Sequence, residues 1–258
     1  MAKLISVIMS VYNSDLYLSD AINSILKQSY TNFEFIIIND GSNDNSFSII
    51  NQYKEQDSRI ILINQENQGL TKSLNHGVKI AKGEYIARQD ADDISMHDRF
   101  LNFIRFIEDS DVDIYSTPAY TINETNEIKK IIPNFFRRNG FKERLLDYYN
   151  SMVHGTLIVK SEIIKRNLYN ENFRFSQDFE LYHRLMGIGY NISYDKNNIS
   201  YKLRIHKDSI TAKNKTGQLK LYKSINNSNN KKYYKSTLFN RVYFRSIDVL
   251  FFIKEKLK

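Results

Sequence analysis

The chain has 258 residues, 41% hydrophobic and 26% charged, which suits an α/β domain of ordinary size and argues against wholesale disorder or a polytopic membrane protein. It contains no cysteine, so disulfides, thiolate catalysis and cysteine-ligated metals are excluded, leaving carboxylate, imidazole, hydroxyl and amide chemistry. The net charge of +8 is uneven: residues 202–258 hold 15 basic and 3 acidic side chains, or +12, whereas residues 1–201 hold 22 and 26, or −4.

Met1-Ala2-Lys3 runs directly into an apolar stretch with no small-residue cleavage site after it, so a cytoplasmic location is expected. Residues 4–11 form a nearly continuous apolar run, the mark of a central strand buried on both faces of a parallel sheet. Leu18, Ile22, Ile25 and Leu26 recur at helical spacing, and residues 33–38 form a second buried run. The turn Gly41-Ser42-Asn43-Asp44 supplies an N-cap for a helix opened by Phe47, Ile49 and Ile50. Residues 60–63 read as a third strand, 70–81 as a third helix and 85–88 as a fourth strand. This alternation predicts a mainly parallel, Rossmann-like α/β sheet flanked by helices.

Beyond Asp93 the pattern loosens. A helix is expected over 100–107, a strand over 112–116, a hairpin over 121–132, and helices over 141–149 and 179–188. Residues 214–230 are polar and Asn-rich, as in a linker. From 231 to 258, Phe239, Val242, Tyr243, Ile247, Leu250, Ile253 and Leu257 recur at three and four residues among Lys and Arg, a basic amphipathic helix. Such a helix either packs its apolar stripe on the domain or docks on an anionic membrane surface. Nothing resembles a nucleic-acid module, so nucleic acid is not an expected partner. The uncharged run at 249–253 is far too short to span a bilayer.

Ligands of open parallel sheets bind beyond the carboxyl ends of the strands. Here those ends carry Tyr12-Asn13, Asn39-Asp40-Gly41-Ser42, Asn64-Gln65-Glu66-Asn67 and Gln89-Asp90-Ala91-Asp92-Asp93, with no glycine-rich phosphate cradle after the first strand. Asp90 and Asp92, two apart at a strand end, are expected to point to one side and can together hold a hard divalent cation that bridges a diphosphate. The same acidic cluster also serves as helix N-cap chemistry.

In order and spacing, Val7-Ile8-Met9-Ser10-Val11-Tyr12-Asn13, Asn39-Asp40-Gly41-Ser42, Asn67-x-Gly69-Leu70 and the run from Gly83 to Asp93 resemble family 2 glycosyltransferases of GT-A fold, particularly bacterial capsule and O-antigen enzymes. The resemblance implies that Asp40, with Val11, Tyr12, Asn13, Asn67, Gly69 and Lys72, holds the nucleoside end of a UDP-sugar. It implies Asp92 as the direct ligand of Mn²⁺ or Mg²⁺, with Asp90 and Ala91 nearer the ribose or sugar. Asn39 stands where an Asp is commoner. Ser176-Gln177-Asp178-Phe179-Glu180 resembles the family's acidic pair at a helix start, which makes Asp178 the catalytic base and Gln177 a replacement for the first acid. His206, after Arg204, resembles a histidine that approaches the metal or diphosphate, and a surface role is equally open. His154-Gly155 looks like an acceptor-side wall, or a turn glycine beside a packed histidine. Arg88 is structural or phosphate-facing.

These implications divide the chain into a nucleotide-sugar half (1–115), an acceptor and base half of the same domain (116–210) and a basic helical tail (211–258). The expected activity is inverting, metal-dependent transfer of a hexose or N-acetylhexosamine to a hydroxyl of a glycan acceptor, lipid-linked at the inner membrane face. The rivals are a sugar-nucleotide pyrophosphorylase, which wants a glycine-rich first loop absent here, and a non-catalytic binder of membrane or anionic polymer, which has no need of Asp92 and Asp178.

Overall fold

The computed structural model describes residues 2–108, 110–132, 152–207 and 209. The helix expected over 141–149, the Asn-rich stretch and the basic tail lie outside the described residues.

Strand β1 (Ile5–Val11) is buried along both faces, as its unbroken apolar run demands. Ile5, Val7, Met9 and Val11 meet Leu18, Ala21, Ile22 and Ile25 of α1 (Asp15–Leu26), while Ile8 turns the other way, toward Leu74 and Val78 of α3 (Leu70–Ile80). Each fully buried Ile or Leu stabilises the fold by about 1.5–3 kcal/mol relative to exposure. Between these elements lie β2 (Phe33–Asp40), α2 (Ser46–Gln56) and β3 (Ile60–Gln65), and after them β4 (Tyr85–Gln89). β1 pairs in parallel with β2 and β4, and β2 with β3.

The chain then forms β5 (Ile94–Ser95), α4 (Arg99–Glu108), β6 (Ile114–Ser116), β7 (Ala119–Ile122) and β8 (Ile128–Ile132). Past residue 151 come a 3-10 turn (His154–Thr156), β9 (Ile158–Lys160), α5 (Ser161–Arg166), α6 (Gln177–Ile188), β10 (Ile192–Tyr194) and β11 (Tyr201–Arg204). Among the described residues a seven-stranded sheet has the order β10-β6-β9-β4-β1-β2-β3, and a four-stranded sheet the order β5-β11-β7-β8. β9 runs antiparallel to both neighbours, β4 and β6. The chain beyond residue 151 thus completes the same sheet that β1 to β4 begin.

The antiparallel β9 and the strands β5, β10 and β11 were not expected from the sequence. At two to four residues they are too short to show periodicity. The hairpin over 121–132 and the helix over 100–107 stand close to expectation. The last helix begins at Gln177 rather than Phe179, which places Asp178 in its first turn.

Candidate active site

The loops after β1, β2 and β3 lock one another. Asn13, held at φ +48°, donates its amide to Ser42 Oγ at 3.1 Å and accepts the Asn43 amide on Oδ1 at 2.8 Å. The preceding Tyr12 is 49% exposed, whereas Val11 is fully buried as the last residue of β1. Asp40 is buried and accepts three hydrogen bonds: Gln65 Nε2 at 2.8 Å and the Gln68 amide at 2.9 Å on Oδ1, and the Gly69 amide at 2.8 Å on Oδ2. It therefore fastens the start of α3 to the end of β2. Gly69 sits at φ +90°, a backbone that a side chain would strain, and nothing lies within 4 Å of where its Cβ would be. Asn67 and Lys72 are exposed on either side of it. Asn39 donates to Asn64 Oδ1 at 2.6 Å, an amide pair across β2 and β3 that accounts locally for Asn where Asp was the commoner expectation.

At the end of β4 the two acidic side chains hold different partners. Arg88, buried, donates from Nη2 to Asp90 Oδ1 at 2.5 Å, while Asp92 Oδ2 stands 2.8 Å from His206 Nε2. Among the described residues no group of three or more His, Asp or Glu gathers around one point. Burial pushes the Asp90 carboxyl up, the Arg88 guanidinium opposes that, and Asp92 raises it further. Asp93, fully enclosed, is held well above the usual carboxylate range by burial and by both neighbouring aspartates.

The small sheet brings His206 to this spot. Asp93 Oδ1 accepts the Arg204 amide at 2.7 Å, and the Asp92 carbonyl accepts Arg204 Nε at 2.8 Å. The Arg204 guanidinium lies 4.2 Å over the Tyr17 ring, and Tyr17 in turn packs on His206 with ring centroids 5.4 Å apart. Tyr201, on the same strand, accepts the Asp90 amide on its hydroxyl at 3.0 Å. A Cβ on Gly155 would lie 2.3 Å from that tyrosine ring. Tyr201 thus leaves no room for a side chain at Gly155. Arg99, buried beneath, donates to the Arg88 carbonyl at 2.9 Å and stands 5.2 Å from the Tyr201 ring; burial lowers it to about 10.

Asp178 is half-buried in the first turn of α6, after Ser176 at φ +56°. Left-handed backbone at Ser176 and Asn13 is costly for non-glycine residues and collects at functional sites. Gln177 is buried. Between the two acidic motifs stands Tyr169, whose hydroxyl is 2.8 Å from His154 Nε2. Burial raises the Tyr169 phenol, the Arg88 charge opposes this, and Asp178 and Asp90 both add to it, so one tyrosine senses both motifs. Burial, with the Arg88 charge, holds His154 well below the usual imidazole range and keeps it neutral.

A family model described as glycosyl transferase family 2 matches residues 6–184. The chain belongs to that family. It is 33% identical to an uncharacterized glycosyltransferase of Methanocaldococcus jannaschii over 97% of this chain and 88% of that one. It is 35% identical to the O-antigen biosynthesis glycosyltransferase WbnJ of Escherichia coli over 80% and 81% of the two chains. Among solved structures, S. aureus TarS 1–349 in complex with UDP-GlcNAc superposes with a TM-score of 0.67 at 20% identity, covering 80% of this chain and 59% of that one. The mannosyltransferase PcManGT from Pyrobaculum calidifontis, in complex with GDP-Man and Mn²⁺, gives 0.67 at 18% identity over 90% and 65%. These likenesses show the GT-A fold.

On this family 2 scaffold the residues singled out in the sequence fall into three linked groups. Tyr12, Asn13, Asp40 and Gly69 line the loops after β1, β2 and β3, Arg88, Asp90, Asp92 and His206 the end of β4, and His154 meets Tyr169, with Asp178 in the first turn of α6. Ala91 is buried between the two acids. Tyr201, Arg99 and Tyr169, which orient these groups, were given no role from the sequence, and Arg204 entered only as the arginine that precedes His206. Arg204 and Tyr201 flank His206, but neither has a motif of its own.

Proposed function

We propose that this glycosyltransferase moves a hexose or N-acetylhexosamine from a UDP-sugar to a glycan hydroxyl, with inversion, using a divalent cation, and that its acceptor is a lipid-linked intermediate of a surface polysaccharide. The observation that carries this reading is the Asp92–His206 pair, 2.8 Å apart beyond the carboxyl end of β4. UDP-GlcNAc in the TarS complex, Mn²⁺ in the PcManGT complex and the O-antigen role in the name of WbnJ support its three parts.

Tyr12 offers a half-exposed ring for a base to stack on, and Asp40, with three of roughly four acceptor positions filled, keeps about one for a base N–H. Asp92 and His206 fit a cation: a carboxylate beside an imidazole suits Mn²⁺ better than Mg²⁺, which prefers oxygen alone. Bound there, the cation would neutralise the diphosphate charge. Asp90, turned to Arg88, faces the ribose or sugar. Asp178 takes the proton of the acceptor hydroxyl as that oxygen attacks the anomeric carbon; the bond from that carbon to the diphosphate oxygen breaks, UDP leaves with the electron pair, and this single displacement inverts the centre. Gln177, His154 and Gly155 form the acceptor side, where a neutral His154 adds no charge.

A panel of UDP- and GDP-sugars with Mn²⁺ tests the reading, because a ligand that binds only the folded state raises the melting temperature. A UDP-sugar is expected to give the largest rise, and NMR of the product to show the anomeric configuration opposite to the donor's. A GDP-sugar preference or a retained configuration overturns it. Among the described residues no helix is long and apolar enough to cross a membrane. The membrane part of the proposal rests on the basic, amphipathic sequence of residues 231–258. Full-length protein is expected to co-sediment with anionic vesicles at low salt, and a chain ending near Lys231 to remain in solution. Equal behaviour of the two removes the membrane role.

A further inference from the structure

Asn75 lies on α3 with 2% of its surface exposed, deep in the domain and off the donor loops. It holds both backbone groups of one residue: Oδ1 accepts the Tyr169 amide at 2.9 Å, and Nδ2 donates to the Tyr169 carbonyl at 2.9 Å. Nδ2 also reaches Glu171 Oε1 at 3.0 Å. One turn earlier on the same helix face, Thr71 Oγ1 donates to the Phe173 carbonyl at 3.0 Å. The segment so gripped is gripped again from the other side. Arg184 of α6 donates from Nη2 to the Leu168 carbonyl at 2.7 Å, and from Nε to Glu180 Oε1 at 2.8 Å.

These bonds join two ends of the site. The N-terminus of α3 is fixed by Asp40 through the Gln68 and Gly69 amides. Its first turn and its middle are fixed to residues 168–173 by Thr71 and Asn75, and those residues are fixed to α6, which presents Asp178 after the left-handed Ser176. Isolated irregular chain would leave its backbone groups to water; here a buried amide satisfies an N–H and a C=O together, so the segment has one position.

We propose that Asn75 is a positioning residue for the transfer step: by holding the Tyr169 backbone from α3 it sets where Asp178 stands relative to the bound donor, without touching the donor itself. This rests on the reading of Asp178 as the base. Displacing a reacting group by about 1 Å costs on the order of 10²-fold in rate, and donor affinity, determined at the other end of α3, is untouched by such a shift.

The test uses the full chain with Mn²⁺, measuring UDP affinity by calorimetry, UDP release from UDP-GlcNAc in the presence of water alone, and amide exchange. Asn75→Ala is expected to keep UDP affinity within about twofold, to lower UDP release about tenfold or more, and to speed exchange at Tyr169 and across 169–178. Asn75→Asp sets a carboxylate against Glu171, and adding Glu171→Gln, which returns a donor, is expected to restore part of the rate. A loss that is only structural lowers the folded fraction and leaves the rate per UDP-binding site unchanged. If Asn75→Ala does not fold, the nearly isosteric Thr71→Val is expected to show the same split at about threefold. Unchanged UDP release in the Asn75 variant, with release lost in Asp178→Asn, overturns the inference while the base reading stands. Rate and UDP affinity falling together, or unaltered exchange at Tyr169, also overturns it. Full release in Asp178→Asn overturns both.

Discussion

Asp40 and Asp92 leave the ends of parallel strands whose helices follow directly in the chain, and the loops around Asp40 are bonded mostly to neighbours within about 30 residues, such as Gln65, Gln68 and Gly69. Asp178 is placed differently. Its helix is anchored through residues 168–173 to Thr71 and Asn75, some 100 positions away in sequence, and Leu181 and Tyr182 of that helix share a core cluster with Val159 of the antiparallel β9. One half of the site is built by local chain order, the other by long-range clamps. Substitutions in the first half should therefore disable binding at the residue changed, and substitutions in the second should act at a distance.

The largest expected effects separate the two halves directly. Asp92→Ala should abolish Mn²⁺-dependent UDP binding while the melting temperature without ligand stays near wild type, because a half-exposed carboxylate is lost and no core residue is touched. UDP titration by calorimetry with and without Mn²⁺ decides it, and unchanged affinity would remove Asp92 from the metal site. Asp178→Asn should leave that affinity intact and lower turnover by roughly 10²-fold or more, the usual scale for loss of a general base. If the two variants fail in the same way, the division between the halves does not hold.

A glycine from each half gives a smaller and sharper contrast. Gly155→Ala drives a Cβ into the fully buried Tyr201 ring, which has no exposed end to swing aside, so a loss of stability near the upper end of about 1–3 kcal/mol is expected. Because the Tyr201 hydroxyl holds the Asp90 amide, donor binding should weaken as well. Gly69→Ala meets open space and is opposed only by its positive φ, a cost of about 1 kcal/mol. Urea melts of both variants measure the difference, and a reversed order would mean that the β3–α3 loop is the tighter of the two.

The same division explains what was legible beforehand. Strands β1 to β4 and the helices between them show unbroken apolar runs or helical spacing, and their polar ends follow at fixed offsets, so Asp40, Asp90 and Asp92 could be found from sequence pattern and family resemblance. Asp178 and His206 could be found only through the resemblance. Their supports could not be found at all. Tyr201 and Arg204 act from a four-residue strand, β9 has three residues, and Asn75 sits on an ordinary amphipathic helix where nothing local tells a buried clamp from a polar residue facing water. The partner of Asp92 was illegible for a related reason: His206, 2.8 Å from it, is more than 110 positions away in the chain.

The smallest expected effect probes the second half by pH. His154 is kept neutral in the folded chain by burial and by the Arg88 charge, and an unfolded histidine titrates near about 6.5. Its folded value lies below its unfolded one, so as pH falls below about 6.5 the unfolded chain takes up a proton that the folded chain refuses. The stability associated with His154 is thus fully present above that pH and declines as pH drops through the interval toward the lower, folded value. Unfolding free energies at about pH 7.5 and 5.5 should show this decline in the wild type and a shallower one in His154→Gln, whose amide can still reach the Tyr169 hydroxyl and cannot titrate in that range. Asp44 and Asp57, both held below the usual carboxylate range, lose their contribution only at more acid pH and do not mimic the effect. Equal slopes would mean that His154 takes up its proton over the same pH range in the folded chain as in the unfolded one, which below about pH 6.5 would place a second positive charge beside Arg88 and make the acceptor side cationic there.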